Sequence, residues 1–161
     1  VAEFMFGKRI RKVAAVYYPK TMRIRAEDGA YVKFYFEDGT QGSVNAAFSE
    51  LRGGLAGTLT NLGYEIYGER AAMRGYGTMF QLSGYGDEPI VQRLEIDDGR
   101  KVSRVSPAKI RNIYSALIDG HAKSVLDKKP LTAGDAIHNL ALCAAAHESA
   151  RHGGRIVSVR C

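Results

Sequence analysis

Short runs rich in Val, Ile, Tyr and Phe, separated by glycine and turn residues, recur along the first hundred positions, the pattern of β-strands joined by short turns. "KRIRKVAAVYYP" predicts a strand rich in Val, Ile and Tyr, stopped by Pro19. "AYVKFYF" and "QGSVNAAF" flank Asp38-Gly39, a strong hairpin signal. With a two-residue turn at that pair, Val32, Phe34 and Phe36 share a face with Gln41, Ser43 and Asn45. Tyr31 and Tyr35 then share the other face with Val44, Ala46 and Phe48. Neither face is cleanly polar, so the sheet is expected to be covered on both sides. "NLGYEIYG" predicts a strand ending at Gly68, and "ERAAMRG" and "GTMFQLSGYG" predict two short β pieces. "PIVQRLEID" predicts a strand closed by Asp98-Gly99. "SELRGGLAGTL" reads as a glycine-punctuated loop or strand approach.

The period then changes. Ser106-Pro107 is an N-cap followed by Pro at the first helical position. Ile110, Ile113, Tyr114, Leu117 and Ile118 form an apolar stripe behind it, and Gly120 is the predicted stop. Thr132 to Asp135 resembles a capping box, and Ile137, Leu140, Ala141, Ala144 and Ala145 are the predicted buried stripe of a second helix. Gly153-Gly154 end that helix, and "RIVSV" closes the chain as a short strand. "VAEFMFG" reads as the tail of a helix closed by Gly7. Strands first and helices later predict the α+β class: an open, mixed, largely antiparallel β-sheet with two long helices packed on one face.

The chain has 161 residues, 45% of them hydrophobic, a size that predicts one domain with a sizeable core. The net charge is +6. Lys8, Arg9, Arg11, Lys12, Lys20, Arg23 and Arg25 stand against Glu3 alone in the first 25 positions, which accounts for all of it. Such a block is usually a solvated strand face that discourages edge pairing, and it could also bind a phosphorylated ligand. The aromatics do not interleave with the cations as a nucleic-acid stacking surface requires, so no nucleic acid is expected. No apolar run is long enough to span a bilayer and no signal peptide is visible, so a cytoplasmic protein is expected, with Cys143 and Cys161 reduced.

"AAAHESARHGG" raises the question of zinc. A metalloprotease helix spaces its histidines four apart, on one face, with Glu as general base. His147 and His152 are five apart and would point roughly 140° from each other. No metal is expected.

The order of elements resembles the C-terminal domain of the Gfo/Idh/MocA oxidoreductases, the glucose–fructose oxidoreductase and inositol dehydrogenase group. "KKPLTAGDAIHNLALCAAAHESARHGGRIVSV" carries the resemblance furthest, with "FEDGTQGSV", "YEIYGERAAM" and "NIYSALIDG" in matching order. The resemblance implies a parent protein that uses NAD or NADP to transfer hydride to or from a sugar-like alcohol or ketone. It implies that residues 1–161 form a single substrate-binding and oligomerisation domain, with the Rossmann half of the parent lying upstream. The family's Gly-x-Gly-x-x-Gly turn and Glu-Lys-Pro motif do not occur in these residues, and its Asp-x-x-x-His would fall before Val1. The chain alone is therefore expected to hold neither catalytic residues nor a cofactor.

The stretch "LRGGLAGTLTN" borders the substrate in the resembling proteins, which makes Arg52, Thr58, Thr60 and Asn61 candidates for binding hydroxyls. Tyr17 and Tyr18 end a strand and are candidates beside them. Thr58 and Thr60 also fit as ordinary strand residues, and the tyrosines as core or interface. The resemblance and the two apolar faces together predict a homodimer or tetramer formed through the sheet. The competing reading is a stand-alone α+β binding domain that uses its basic strand for an anionic partner and has no redox role.

Overall fold

The computed structural model describes residues 2–20, 25–47, 62–77, 92–106, 113–129 and 134–160. Their elements are α1 (Ala2–Phe6), β1 (Ile10–Tyr17), β2 (Gly29–Phe36), β3 (Gln41–Ala47), β4 (Leu62–Tyr67), β5 (Ala72–Gly77), β6 (Gln92–Asp97), β7 (Val102–Val105), α2 (Ile113–Leu126), α3 (Gly134–Arg151) and β8 (Val157–Ser158). The class is α+β, as the sequence predicts. The strands form two four-stranded sheets rather than one, and every described pairing is antiparallel. The chain divides into two compact units, Val1–Ser49 with Leu131–Cys161, and Glu50–Pro130.

The first unit holds the sheet β3-β2-β1-β8 with α3 packed on β1 and β8. Its core is Ile10, Val13, Phe34, Phe36, Ala145 and Val157. The Phe34 and Phe36 rings meet edge to face at 5.5 Å, and Phe6 of α1 lies 5.2 Å from Phe36. Such aromatic pairs add directional attraction to the burial of apolar area. A register shift between Ile10 and Lys12 bends the start of β1.

The hairpin corrects the predicted faces. Phe36 N–H donates to the Thr40 carbonyl at 2.8 Å, Gly39 N–H donates to the Phe36 carbonyl, and Gly39 has φ +87°. The loop is therefore three residues, Glu37-Asp38-Gly39, and Phe34 pairs with Gly42 and Val32 with Val44. A two-residue turn of the Asn-Gly type needs positive φ at both central positions. Asp38 stays out of that region because its carboxylate accepts the Thr40 N–H at 3.0 Å and Lys8 Nζ at 2.5 Å. Lys8 first, and then Thr40, pull the Asp38 carboxyl down to about 2. The one-residue change exchanges the partner strand's faces. Val32, Phe34 and Phe36 share the helix-covered face with Gly42, Val44 and Ala46. Tyr31, Lys33 and Tyr35 share the outer face with Gln41, Ser43 and Asn45.

Gly42 is needed on the inner face. A Cβ there would sit 2.4 Å from the Phe34 ring, which is itself buried and wedged against Phe36. Gly42→Ala is expected to cost about 1–3 kcal/mol, the range for overpacking. A denaturation midpoint unchanged from that of the unaltered chain would show that the ring can move aside.

The face of α3 also differs from the predicted one. Ile137 and Leu140 are exposed, at 60% and 71%, and the helix turns His138, Ala145 and Ser149 inward, with Leu142 and Ala146 packed beside them. Two polar residues lie on the buried side because each has partners there, described below.

In the second unit, sheet β4-β5-β6-β7 is two-faced. Tyr64, Ile66, Met73, Leu94, Ile96 and Val105 fall on one face, and Glu65, Arg74, Glu95 and Arg104 fall on the other. Strand β5 runs through Gly75, because the Tyr64 ring occupies the space a side chain would need. The strand β7 was not predicted. Asp98-Gly99 is a hairpin rather than a strand end: Asp98 N–H donates to the Lys101 carbonyl, and Gly99 has φ +80°. The Asp98 carboxylate accepts the N–H groups of Lys101 and Arg100, which lower its pKa.

Helix α2 passes through Gly120 and continues to Leu126. One interior glycine costs only about 1 kcal/mol, and His121 to Leu126 carry the helix on. It ends where Lys128 takes φ 51°, with Lys129 N–H donating to the Ser124 carbonyl. Leu117 and Ile118 of the predicted stripe are exposed, at 68% and 66%. The strand predicted at "GTMFQLSGYG" and the caps at Ser106-Pro107 and Thr132 lie wholly or partly outside the described residues.

Candidate functional site

Arg52, Thr58, Thr60 and Asn61 lie outside the described residues. Tyr17 and Tyr18 are described, and adjacent strand residues point to opposite faces. Tyr17 lies on the helix-covered side, where its hydroxyl bonds His147 Nδ1 and its ring meets that imidazole edge-on at 5.5 Å. Tyr18 lies on the outer side, and its hydroxyl donates to Asn45 Oδ1 at 2.8 Å. Both are half-buried. At most one of them can line a given pocket. The Tyr17–His147 pair offers one hydroxyl and one imidazole, a combination that can hydrogen-bond an alcohol or pass a proton.

The histidines of the sequence motif diverge. His147 meets Tyr17, while His152 Nδ1 donates to the Glu148 carbonyl at 2.8 Å and satisfies the helix end. Glu148 pairs with Arg155 at 2.8 Å. Among the described residues, no three His, Cys, Asp or Glu side chains converge on one point.

Two buried polar centres hold the first unit together. Ser149 is fully buried. Its Oγ accepts the Ala15 N–H at 2.8 Å, and its hydroxyl donates to the Arg155 carbonyl at 2.5 Å. Strand β8 is only two residues long, so beyond Val13 the serine takes the place of a strand partner. The second centre is Glu3, which accepts the Ile10 N–H at 2.7 Å and faces His138 Nε2 at 2.7 Å and Arg9 at 3.3 Å. Burial pushes the Glu3 carboxyl up, but the Ile10 N–H, His138 and Arg9 together outweigh it and the net shift is downward. Arg9 also reaches Asp135 at 2.5 Å, tying α1, β1 and the start of α3. Sequence reading missed His138, which sits between two positions of the predicted apolar stripe. Ser149 carries no local signal in the sequence beyond its place in the family-like ending.

The basic block is largely neutralised within the chain. Lys8 pairs with Asp38, Arg9 with Glu3 and Asp135, Arg11 with Glu37, and Lys20 with Glu27. An open groove of about 410 Å³ runs between α3 and β8, with an alanine floor (Ala141, Ala144) and Glu148, Arg155 and Arg160 along its sides.

The chain matches no protein-family model and no curated protein. Its fold does match solved structures. The aldose–aldose oxidoreductase of Caulobacter crescentus, complexed with glycerol, gives a TM-score of 0.74 at 18% identity, over 98% of this chain and 43% of that one. An inositol dehydrogenase homolog of Azotobacter vinelandii, complexed with NADH and myo-inositol, gives 0.64 at 15% identity, over 98% and 46%. The WlbA dehydrogenase of Bordetella pertussis, in complex with NADH and UDP-GlcNAcA, gives 0.62 at 18% identity, over 99% and 41%. The chain has the fold of the C-terminal domain of Gfo/Idh/MocA-type oxidoreductases, and it spans less than half the length of these structures.

Proposed function

We propose that this chain is the substrate-binding and oligomerisation domain of an NAD(P)-dependent oxidoreductase acting on a sugar, polyol or similar alcohol or ketone. The observation that carries the reading is the fold match over 98% of the chain to proteins whose partners are glycerol, and NADH with myo-inositol. In this reading residues 1–161 act as one C-terminal domain. The described residues do not fit a dinucleotide. Their strand pairings are all antiparallel, whereas the dinucleotide crevice lies between parallel strands followed by a glycine-rich turn, and the sequence has no Gly-x-Gly-x-x-Gly. Hydride transfer therefore belongs to a part of the parent outside these residues. Tyr17 and Tyr18, and separately Arg52, Thr58, Thr60 and Asn61, are the residues proposed to contact the substrate.

The chain associates with itself through the outer face of the first sheet. Val16 and Tyr31 are exposed there, at 44% and 39%, and Lys33 Nζ lies over the Tyr35 ring at 5.2 Å. The rival reading, an anion-binding module, loses weight because four of its cations already have carboxylate partners.

Two measurements test the proposal. The 161-residue chain is expected to give no heat on titration with NAD or NADP, and micromolar binding would place a cofactor site within it. The parent protein is expected to reduce NAD or NADP with at least one member of a polyol and aldose panel. A folded parent inert to the whole panel would favour the rival.

A further inference from the structure

The first unit offers a substrate two tyrosine hydroxyls, and their partners tell them apart. Tyr18 donates to Asn45 Oδ1 at 2.8 Å. An amide oxygen accepts a hydrogen bond but does not carry a proton away. Tyr67, in the second unit, donates to the Glu65 carboxylate, and that bond is the largest of the influences that raise its pKa. A phenol held beside an anion gives up its proton less readily. Tyr17 meets an imidazole instead: its hydroxyl bonds Nδ1 of His147. An imidazole has two nitrogens, so a proton taken up at one can leave from the other.

The histidines of this region are placed for different work. His138 is buried against Glu3, 2.7 Å away. His152 is spent on closing the helix through the Glu148 carbonyl. His147 is exposed, and among the described residues its Nε2 has no partner, so that nitrogen meets water. No described carboxylate pairs with the ring to hold a proton on it. The ring stands edge-on to Tyr17 at 85°, with centroids 5.5 Å apart, a contact that fixes its orientation.

We infer that Tyr17 and His147 form a proton relay joining the hydroxyl of the substrate to bulk water. This rests on the oxidoreductase reading proposed above, with Tyr17 as a substrate contact. In the oxidising direction the substrate O–H gives its proton to the Tyr17 oxygen. The Tyr17 proton moves to Nδ1 of His147, and the Nε2 proton leaves to water. The electron pair of the C–H bond leaves as hydride to the nicotinamide oxidant of the parent, and the C–O bond becomes a carbonyl. A half-turn of the exposed ring returns the bare nitrogen to Tyr17. Ketone reduction runs the same path backwards. Tyr17 touches the substrate, and His147 acts through it.

Variants of the parent protein test this, assayed with the polyol or aldose of the panel that it oxidises fastest. Tyr17→Phe is expected to lower kcat by about 10²–10⁴-fold, the range for a positioned acid–base group. His147→Asn places an amide oxygen where Nδ1 stood, so Tyr17 keeps a hydrogen bond and loses its route to water. Its kcat is expected to fall at least about tenfold, with KM changed by less than about twofold. His147→Ala is expected to regain turnover as imidazole is added to the medium, which a merely structural part would not produce. A His147→Asn kcat equal to that of the unaltered parent would overturn the relay and leave Tyr17 as a substrate contact. A low kcat in His147→Ala that imidazole does not raise would overturn it too. Tyr17→Phe with kcat and KM both unchanged would remove the substrate contact itself, and the relay with it. One measurement on the chain needs no cofactor. Proton–nitrogen NMR is expected to show a bare Nδ1 on His147 whose shift moves in Tyr17→Phe, and an unmoved Nδ1 would overturn the pairing.

Discussion

Replacing Ser149 with alanine is expected to destabilise the first unit by roughly 2–4 kcal/mol, since two buried backbone groups lose their partner and each unsatisfied group costs about 1–3 kcal/mol. The Ala15 N–H and the Arg155 carbonyl both depend on this one hydroxyl, and no water can replace it at a side chain with 0% exposure without opening the helix–strand contact. The effect should appear as a lower denaturant midpoint at unchanged slope. Ser149→Thr keeps the hydroxyl but adds a methyl with no room, so it should also destabilise, by overpacking rather than by lost bonds. A loss below about 0.5 kcal/mol for the alanine variant, the range of inert surface changes, would mean that the serine is not what seals the strand edge.

Glu3→Gln is expected to cost about 1.5–3 kcal/mol at neutral pH, the range for hydrogen bonds to a charged group. The amide can still accept the Ile10 N–H, but it offers His138 and Arg9 no charge. The pH dependence gives the clearer reading. The folded chain holds the Glu3 carboxyl below its ordinary value of 4.5. The unfolded chain therefore takes up this proton first on acidification. The stabilisation is complete above the unfolded carboxylate range and is lost as pH falls through the folded value. Melting temperature in the unaltered chain should fall from pH 6 toward pH 3 more steeply than in Glu3→Gln. Asp38 and Asp98 also contribute acid lability, but both chains share them and they cancel in the difference. Parallel melting curves over that range would remove Glu3 from the account.

The strands and the α+β class were legible because runs of β-favouring residues and glycine punctuation are local signals. What local signals could not supply was the choice among turn geometries. Asp38-Gly39 permits a two-residue or a three-residue loop, and the deciding contacts come from Lys8 and Thr40, the first of them thirty positions away. The same ambiguity hid β7, since Asp98-Gly99 ends one strand and begins another with equal ease. Helix α3 defeated a hydrophobicity rule, because its core side carries His138 and Ser149, whose partners Glu3 and Ala15 are distant in sequence. Of the candidate site, the motif histidines take different partners, Tyr17 and the Glu148 carbonyl, and His152 lies one residue past the end of α3. That Tyr17 and Tyr18 divide between two faces also follows from strand geometry. The hydroxyl-to-imidazole contact of Tyr17 joins residues 130 positions apart and was not readable from the sequence.

The first unit is discontinuous: β1 and β2 come early, while the helix and strand that cover them come after residue 130. During synthesis the intervening unit leaves the ribosome while Val13, Phe34 and Phe36 still face water, and the Ala15 amide waits for a serine 134 residues downstream. Closing such distant contacts is entropically slow. The nascent hairpin thus has a long interval as an unpaired, aromatic-rich edge, the kind of species that chaperones hold. Its flanking lysines and arginines guard that edge during translation, before Asp135 is available to engage Arg9.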